Sequence, residues 1–131
     1  MAQKVRTALV VDDSRLARLA LSKLLQKREV DVEMVGTGGE ALDYLSNARP
    51  DVVFMDYMMP DMDGFEATRK IHGVLGDDPV PVVMYTSQDS DEDREKACEL
   101  GIAGFLSKPS GEDSLDEILE LLSEQVKERP Q

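Results

Sequence analysis

Apolar residues along the chain fall into two alternating patterns. One is a short run rich in β-branched residues: Ala8 to Val11, Val32 to Val35, Val52 to Met55, Val82 to Tyr85 and Gly104 to Leu106. Such runs predict strands, and three are continuously apolar, as expected for strands covered on both faces of a parallel sheet. The other pattern is a longer stretch with apolar residues at helical intervals. It predicts helices beginning near Ser14, Gly39, Gly64, Asp91 and Glu112. Ser14 reads as an N-cap before Leu16, Leu19, Leu24 and Leu25, whose recurrence marks the apolar stripe of the first helix. Gly101, after Cys98-Glu99-Leu100, reads as a helix stop, and Leu115, Ile118, Leu119 and Leu122 give the last helix an i, i+3, i+4, i+7 stripe.

Five repeats of strand then helix, joined by right-handed crossovers, make a doubly wound α/β sheet the most economical topology. No internal repeat, low-complexity tract or linker interrupts residues 1–131, which read as one domain with a frayed end at Arg129-Pro130-Gln131. At 131 residues the chain can bury a core without disulfides or a structural metal. No apolar run approaches the roughly 18 residues that span a bilayer, and no secretory signal follows Met1 to Arg6, so a cytoplasmic protein with no membrane partner is expected. A formal net charge of −12 argues against direct binding of nucleic acid. The lone Cys98 reads as a small core residue, His72 as an exposed helix residue, and the seven methionines as mostly core filler.

Polar residues change this picture where they meet the strand ends. Asp12 and Asp13 end the first strand, Asp56 the third and Thr86 the fourth, while Lys108 follows the fifth. In an open parallel sheet, ligands bind outside the carboxyl ends of the strands where the strand order reverses. With order 2-1-3-4-5, the first and third strands are neighbours and Asp12, Asp13 and Asp56 converge. Clustered carboxylates repel unless a cation compensates, and an oxygen-only site with few protein ligands suits Mg²⁺. Lys108 then supplies a positive charge for an anion and Thr86 a hydroxyl, which completes the parts for in-line phosphoryl transfer to an aspartate. Taken singly, each residue has a plainer reading: an Asp pair as a helix cap, Asp56 as a turn residue, Lys-Pro as a loop.

These stretches resemble the receiver domains of two-component response regulators over nearly the whole length. The resemblance rests on Leu9-Val10-Val11-Asp12-Asp13-Ser14, Val53-Phe54-Met55-Asp56-Tyr57-Met58-Met59-Pro60, Asp63-Gly64, Thr86-Ser87 and Lys108-Pro109. It implies a flavodoxin-like fold with five strands and five helices, Asp56 as phosphoryl acceptor, and Asp12 and Asp13 as the acidic metal pair. The Met58 carbonyl would be a further Mg²⁺ ligand, with Thr86 and Lys108 contacting the phosphoryl oxygens. Implied donors are histidine kinases or phosphotransfer proteins, with small acyl phosphates as substitutes. Phe105, three before Lys108, holds the place of an aromatic switch coupled to Thr86, though a simple core Phe fits too. The implied output face for a protein partner is the fourth helix, fifth strand and fifth helix, with phosphorylation-dependent dimerisation left open.

Met58 and Gln88 lie two residues after Asp56 and Thr86, where side chains orient or exclude the water that hydrolyses an acyl phosphate. A thioether is a weak acceptor, so slow self-dephosphorylation is expected, moderated by Gln88, while Ser87 keeps the approach to Asp56 open. Met58 also argues against a haloacid-dehalogenase-like phosphatase, which needs an acid at that position to protonate the leaving group. A receiver-shaped module working by constitutive contact is the second alternative. No output domain follows the fifth helix in the sequence, so the chain is expected either to act alone on a partner or to be a piece of a longer protein.

Overall fold

The computed structural model describes residues 5–76, 80–86, 91–107 and 111–128, with the side chains of Thr86, Ser107 and residues 124–128 outside that description. Its elements alternate as β1 (Thr7–Val11), α1 (Arg15–Gln26), β2 (Asp31–Val35), α2 (Gly38–Leu45) and β3 (Val52–Met55). They continue as α3 (Gly64–Leu75), β4 (Val82–Thr86), α4 (Asp91–Glu99), β5 (Gly104–Ser107) and α5 (Glu112–Glu128). The five strands form one sheet in the order β2-β1-β3-β4-β5, every pair parallel. The expected flavodoxin-like α/β topology is the one observed.

Strand alternation divides the core in two. Ala8, Val10, Val52, Phe54, Val83, Tyr85 and Leu106 pack with residues of α1 and α5 on one face. Their neighbours Leu9, Val11, Val53, Met55, Val82 and Met84 pack with α2, α3 and α4 on the other. β1 and β3 are thus apolar at successive positions because both faces are covered. Each fully buried Leu, Val or Phe contributes roughly 1.5–3 kcal/mol.

α1 begins as expected, with the Ser14 hydroxyl accepting the Ala17 N–H at 3.3 Å, but its inward stripe is Leu21, Ser22 and Leu25. Leu16 is 80% exposed, and Leu19 also faces outward. Leu16 and Leu25 are nine residues apart, about two and a half helical turns, so one face cannot hold both. Two other expectations are corrected. Cys98 is exposed, because the position of α4 facing the sheet is occupied by Ala97. His72 is half-buried in the last turn of α3.

Helix ends follow the sequence closely. Gly101 adopts φ 75°, its N–H bonds to the Cys98 carbonyl and the Ile102 N–H to the Ala97 carbonyl, the paired closure that a left-handed residue allows. At the far side of the sheet, the Arg28 guanidinium grips Asp116 with two N–H groups and lies 3.5 Å from Glu112, fastening the end of α1 to α5. Arg28 holds the Asp116 carboxyl below its ordinary range, chiefly by hydrogen bonding.

The Ser22 hydroxyl is buried without a hydrogen-bond partner among the described residues, so Ser22→Ala is expected to stabilise the fold by about 1 kcal/mol in urea denaturation. Because the folded-state pKa of Asp116 is depressed, its contribution is present above the unfolded pKa and lost as pH falls through the folded one. Asp116→Asn is therefore expected to lower the Tm at neutral pH and to leave it unchanged at strongly acidic pH.

Candidate functional site: an acidic cluster at the sheet edge

The site lies where β1 and β3 run side by side at the reversal of strand order. The backbone ladder continues one residue past each strand, with the Asp56 N–H donating to the Val11 carbonyl at 2.8 Å and the Asp12 N–H to the Val35 carbonyl at 3.2 Å. Both aspartates are fixed by the sheet itself. Asp12 is fully buried, Asp56 is 7% exposed, and Asp13 faces solvent. One oxygen of each carboxylate comes within 4.8 Å of the others.

Local bonds orient this cluster. The Asp12 Oδ1 accepts the Ser14 N–H at 2.9 Å, closing the turn into α1. Arg18, on the inward side of α1, reaches back so that Nη1 donates to the Asp12 carbonyl at 2.6 Å. Arg18 thereby braces the main chain at Asp12. Asp63 caps α3 by accepting the Glu66 N–H at 2.8 Å, and the Gly64 N–H donates to the Tyr57 carbonyl at 2.6 Å. A Cβ on Gly64 would stand 2.5 Å from the Asp56 carbonyl oxygen and 2.7 Å from Met84 Cε. Only glycine lets α3 start this close to the Asp56 backbone.

The donor set is all oxygen, two members are buried, and the third opens to water, an arrangement that fits a hard divalent cation with room for solvent or phosphoryl ligands. Met58, two residues after Asp56, has a side chain that is 58% exposed. It therefore faces solvent and is not core filler. Met55 and Met84 are buried, as expected. Thr86 closes β4, with its side chain outside the described set. Ser87, Gln88 and Lys108 also lie outside the described residues. Phe105, on β5, is half-buried on the α4 side of the sheet, with the Arg94 guanidinium 5.2 Å from its ring centre. Sequence reasoning missed Arg18, which looks like an ordinary basic residue on the outer face of α1. It also missed Asp61, whose carboxylate accepts the N–H groups of Gly38 at 3.1 Å and Gly39 at 2.9 Å.

A five-stranded doubly wound sheet with three carboxylates at its switch point is an α/β module whose acidic edge lies where such folds bind their ligands. Residues 8–120 match the response regulator receiver domain, and the chain belongs to that family. The response regulator MprA of Mycobacterium sp. (strain KMS) is 40% identical over 111 residues, covering 85% of this chain and 46% of MprA. The chain thus spans about half the length of the MprA regulators it matches. A protein-glutamate methylesterase/protein-glutamine glutaminase of Halobacterium salinarum is 43% identical over 110 residues, covering 79% of this chain and 30% of that enzyme. Among solved structures, the chemotaxis protein CheY4 of Vibrio cholerae aligns with a TM-score of 0.83 at 32% identity, over 90% of this chain and 98% of that one. A CheY-like receiver domain protein of Methanospirillum hungatei gives a TM-score of 0.84 at 28% identity, over 96% and 100%.

Gly64→Ala tests the close approach. Overpacking of this kind costs about 1–3 kcal/mol, and the shift falls on the Asp56 backbone, so urea denaturation should show that loss.

Proposed function

We propose that the chain is a phosphorylation-dependent signalling receiver that takes a phosphoryl group on Asp56 from a histidine kinase or a phosphotransfer protein. The observation that carries this reading is the convergence of Asp12, Asp13 and Asp56 within 4.8 Å at the switch point, together with membership of the receiver family. Asp12, Asp13, Asp56 and the Met58 carbonyl would hold Mg²⁺, which neutralises charge on the phosphoryl oxygens during transfer. A carboxylate oxygen of Asp56 attacks phosphorus in line, the phosphorus–nitrogen bond to the donor imidazole breaks, and the imidazole nitrogen leaves with the electron pair. Lys108 balances charge on the transferred group and the Thr86 hydroxyl donates to it, while Ser87 leaves the donor's path clear. The product is an acyl phosphate retained on the chain, so no external substrate is turned over.

Arg94 over Phe105 supports a switch through β5. An exposed cation–π contact is worth about 0.5–1 kcal/mol, small enough for Phe105 to exchange between outward and inward positions as Thr86 moves. The output face is then α4, β5 and α5, read by a protein partner or by a second copy of the chain, with neither nucleic acid nor a membrane as direct ligand. The described helices include none long and apolar enough to cross a membrane.

Intact-mass measurement after acetyl phosphate and Mg²⁺ tests the assignment: one added phosphoryl group is expected on the folded protein and none on Asp56→Asn. An unmodified wild type would reject the proposal. Decay of phosphoryl-Asp56 in Mg²⁺ is expected to be slow, because the Met58 thioether offers only a weak acceptor for an attacking water, an effect that Gln88 moderates. Met58→Glu, which places a water-binding carboxylate there, should shorten the lifetime several-fold, and decay of the wild type within seconds would contradict the slow-hydrolysis reading.

A further inference from the structure

The segment from Tyr57 to Asp63 runs from the phosphoryl acceptor to the cap of α3. Its two ends are fastened locally: Tyr57 by the Gly64 N–H and by its edge-on ring contact with Phe65 at 5.3 Å, and Asp63 by the Glu66 N–H. The middle is fastened to a different element. Asp61 Oδ1 and Oδ2 accept the Gly38 and Gly39 N–H groups at 3.1 and 2.9 Å, and the Met62 side chain packs on Gly38, with Cγ and Sδ 2.7 Å from where a Cβ would stand. The remaining first-turn amides of α2 are met from within the helix region, Glu40 N–H by the Thr37 hydroxyl and Ala41 N–H by the Thr37 carbonyl, each at 3.1 Å. α2 is therefore completed only by a residue 22 positions away. The Gly39 and then the Gly38 amide hold the Asp61 carboxyl below its ordinary range, so the clamp is ionised near neutral pH.

We propose that Asp61 is a positioning residue of the Mg²⁺ site. By locking the middle of the 57–63 segment against α2 it fixes the Met58 carbonyl where the cation needs it, without touching the cation itself. This rests on the receiver reading above. A carbonyl is a weak ligand whose value depends on being aimed beforehand, and outer residues that aim ligands change metal affinity by about 10–100-fold. Coupling of this kind is reciprocal, so Mg²⁺ must in turn tighten the clamp.

The test uses the whole chain. Calorimetric Mg²⁺ titration, with no phosphodonor, is made on wild type, Asp61→Ala, Asp61→Asn and, as a variant weakened far from the site, Asp116→Asn. Asp61→Ala is expected to lose about ten-fold in Mg²⁺ affinity. Asp61→Asn, which keeps one carbonyl acceptor, should lose less, and Asp116→Asn nothing. Hydrogen exchange on the wild type provides a reading that needs no variant to fold: Mg²⁺ should slow exchange at the Gly38 and Gly39 amides. Wild-type affinity in Asp61→Ala, an equal loss in Asp116→Asn, or exchange at these amides indifferent to Mg²⁺ would overturn the proposal. A wild type that binds no Mg²⁺ and gains no phosphoryl mass would overturn the receiver reading as well, whereas a wild type that does both beside an unaffected Asp61→Ala would remove the clamp alone.

Discussion

Three carboxylates converge at one edge of the sheet, and its backbone fixes two of them, Asp12 and Asp56. Asp12 and Asp56 hang on the last hydrogen bonds of two neighbouring strand pairs, Asp12 on Val35 and Asp56 on Val11, so neither can retreat without breaking a ladder whose residues are buried on both faces. Repulsion that would scatter flexible loops is here balanced against the cohesion of the whole core. Loss of ladder bonding at β1 would therefore release the cluster, although no residue of the cluster lies within a strand.

The surrounding loops share a second constraint, that their main-chain groups be satisfied. Arg18 binds a carbonyl of Asp12, Asp61 binds amides of α2, and Gly64 brings an amide to Tyr57. None of these bonds uses the Asp56 side chain. These bonds set the backbone around the cluster, so substitution at Arg18, Asp61 or Gly64 acts on its geometry.

Much of this could be read in the sequence because it follows from short-range rules. Strand positions followed from short apolar runs and the doubly wound sheet from the repeat of strand and helix, while the convergence of Asp12, Asp13 and Asp56 followed once the order 2-1-3-4-5 was assumed, and that order is the one observed. The errors came where two signals compete. The leucines of α1 outnumber the places available on its inward face, and composition alone does not say that Leu21 and Leu25 enter while Leu16 stays out. Cys98 misled because small apolar residues occupy adjacent positions in α4 and only the phase of the helix selects Ala97. Asp61 was invisible because its partners are amides that carry no sequence signature and lie in another loop. The pair Gly38-Gly39 after Thr37 was the single available hint, two amides unshielded by side chains.

α4 stands apart from the other helices. It buries only Ala97 among its residues, its first turn carries Asp91, Glu92 and Asp93, and its C-terminal closure depends on the left-handed Gly101. A helix with so little apolar area beneath it has a low cost of local opening, while the strands under it stay shut through Met84 and Val82. Packing is thus uneven across the sheet: β1 and β3 are covered on both faces, whereas Ala97 is the one fully buried residue of α4. A perturbation at the α4 margin therefore disturbs far less buried apolar surface than one at the β1 and β3 centre.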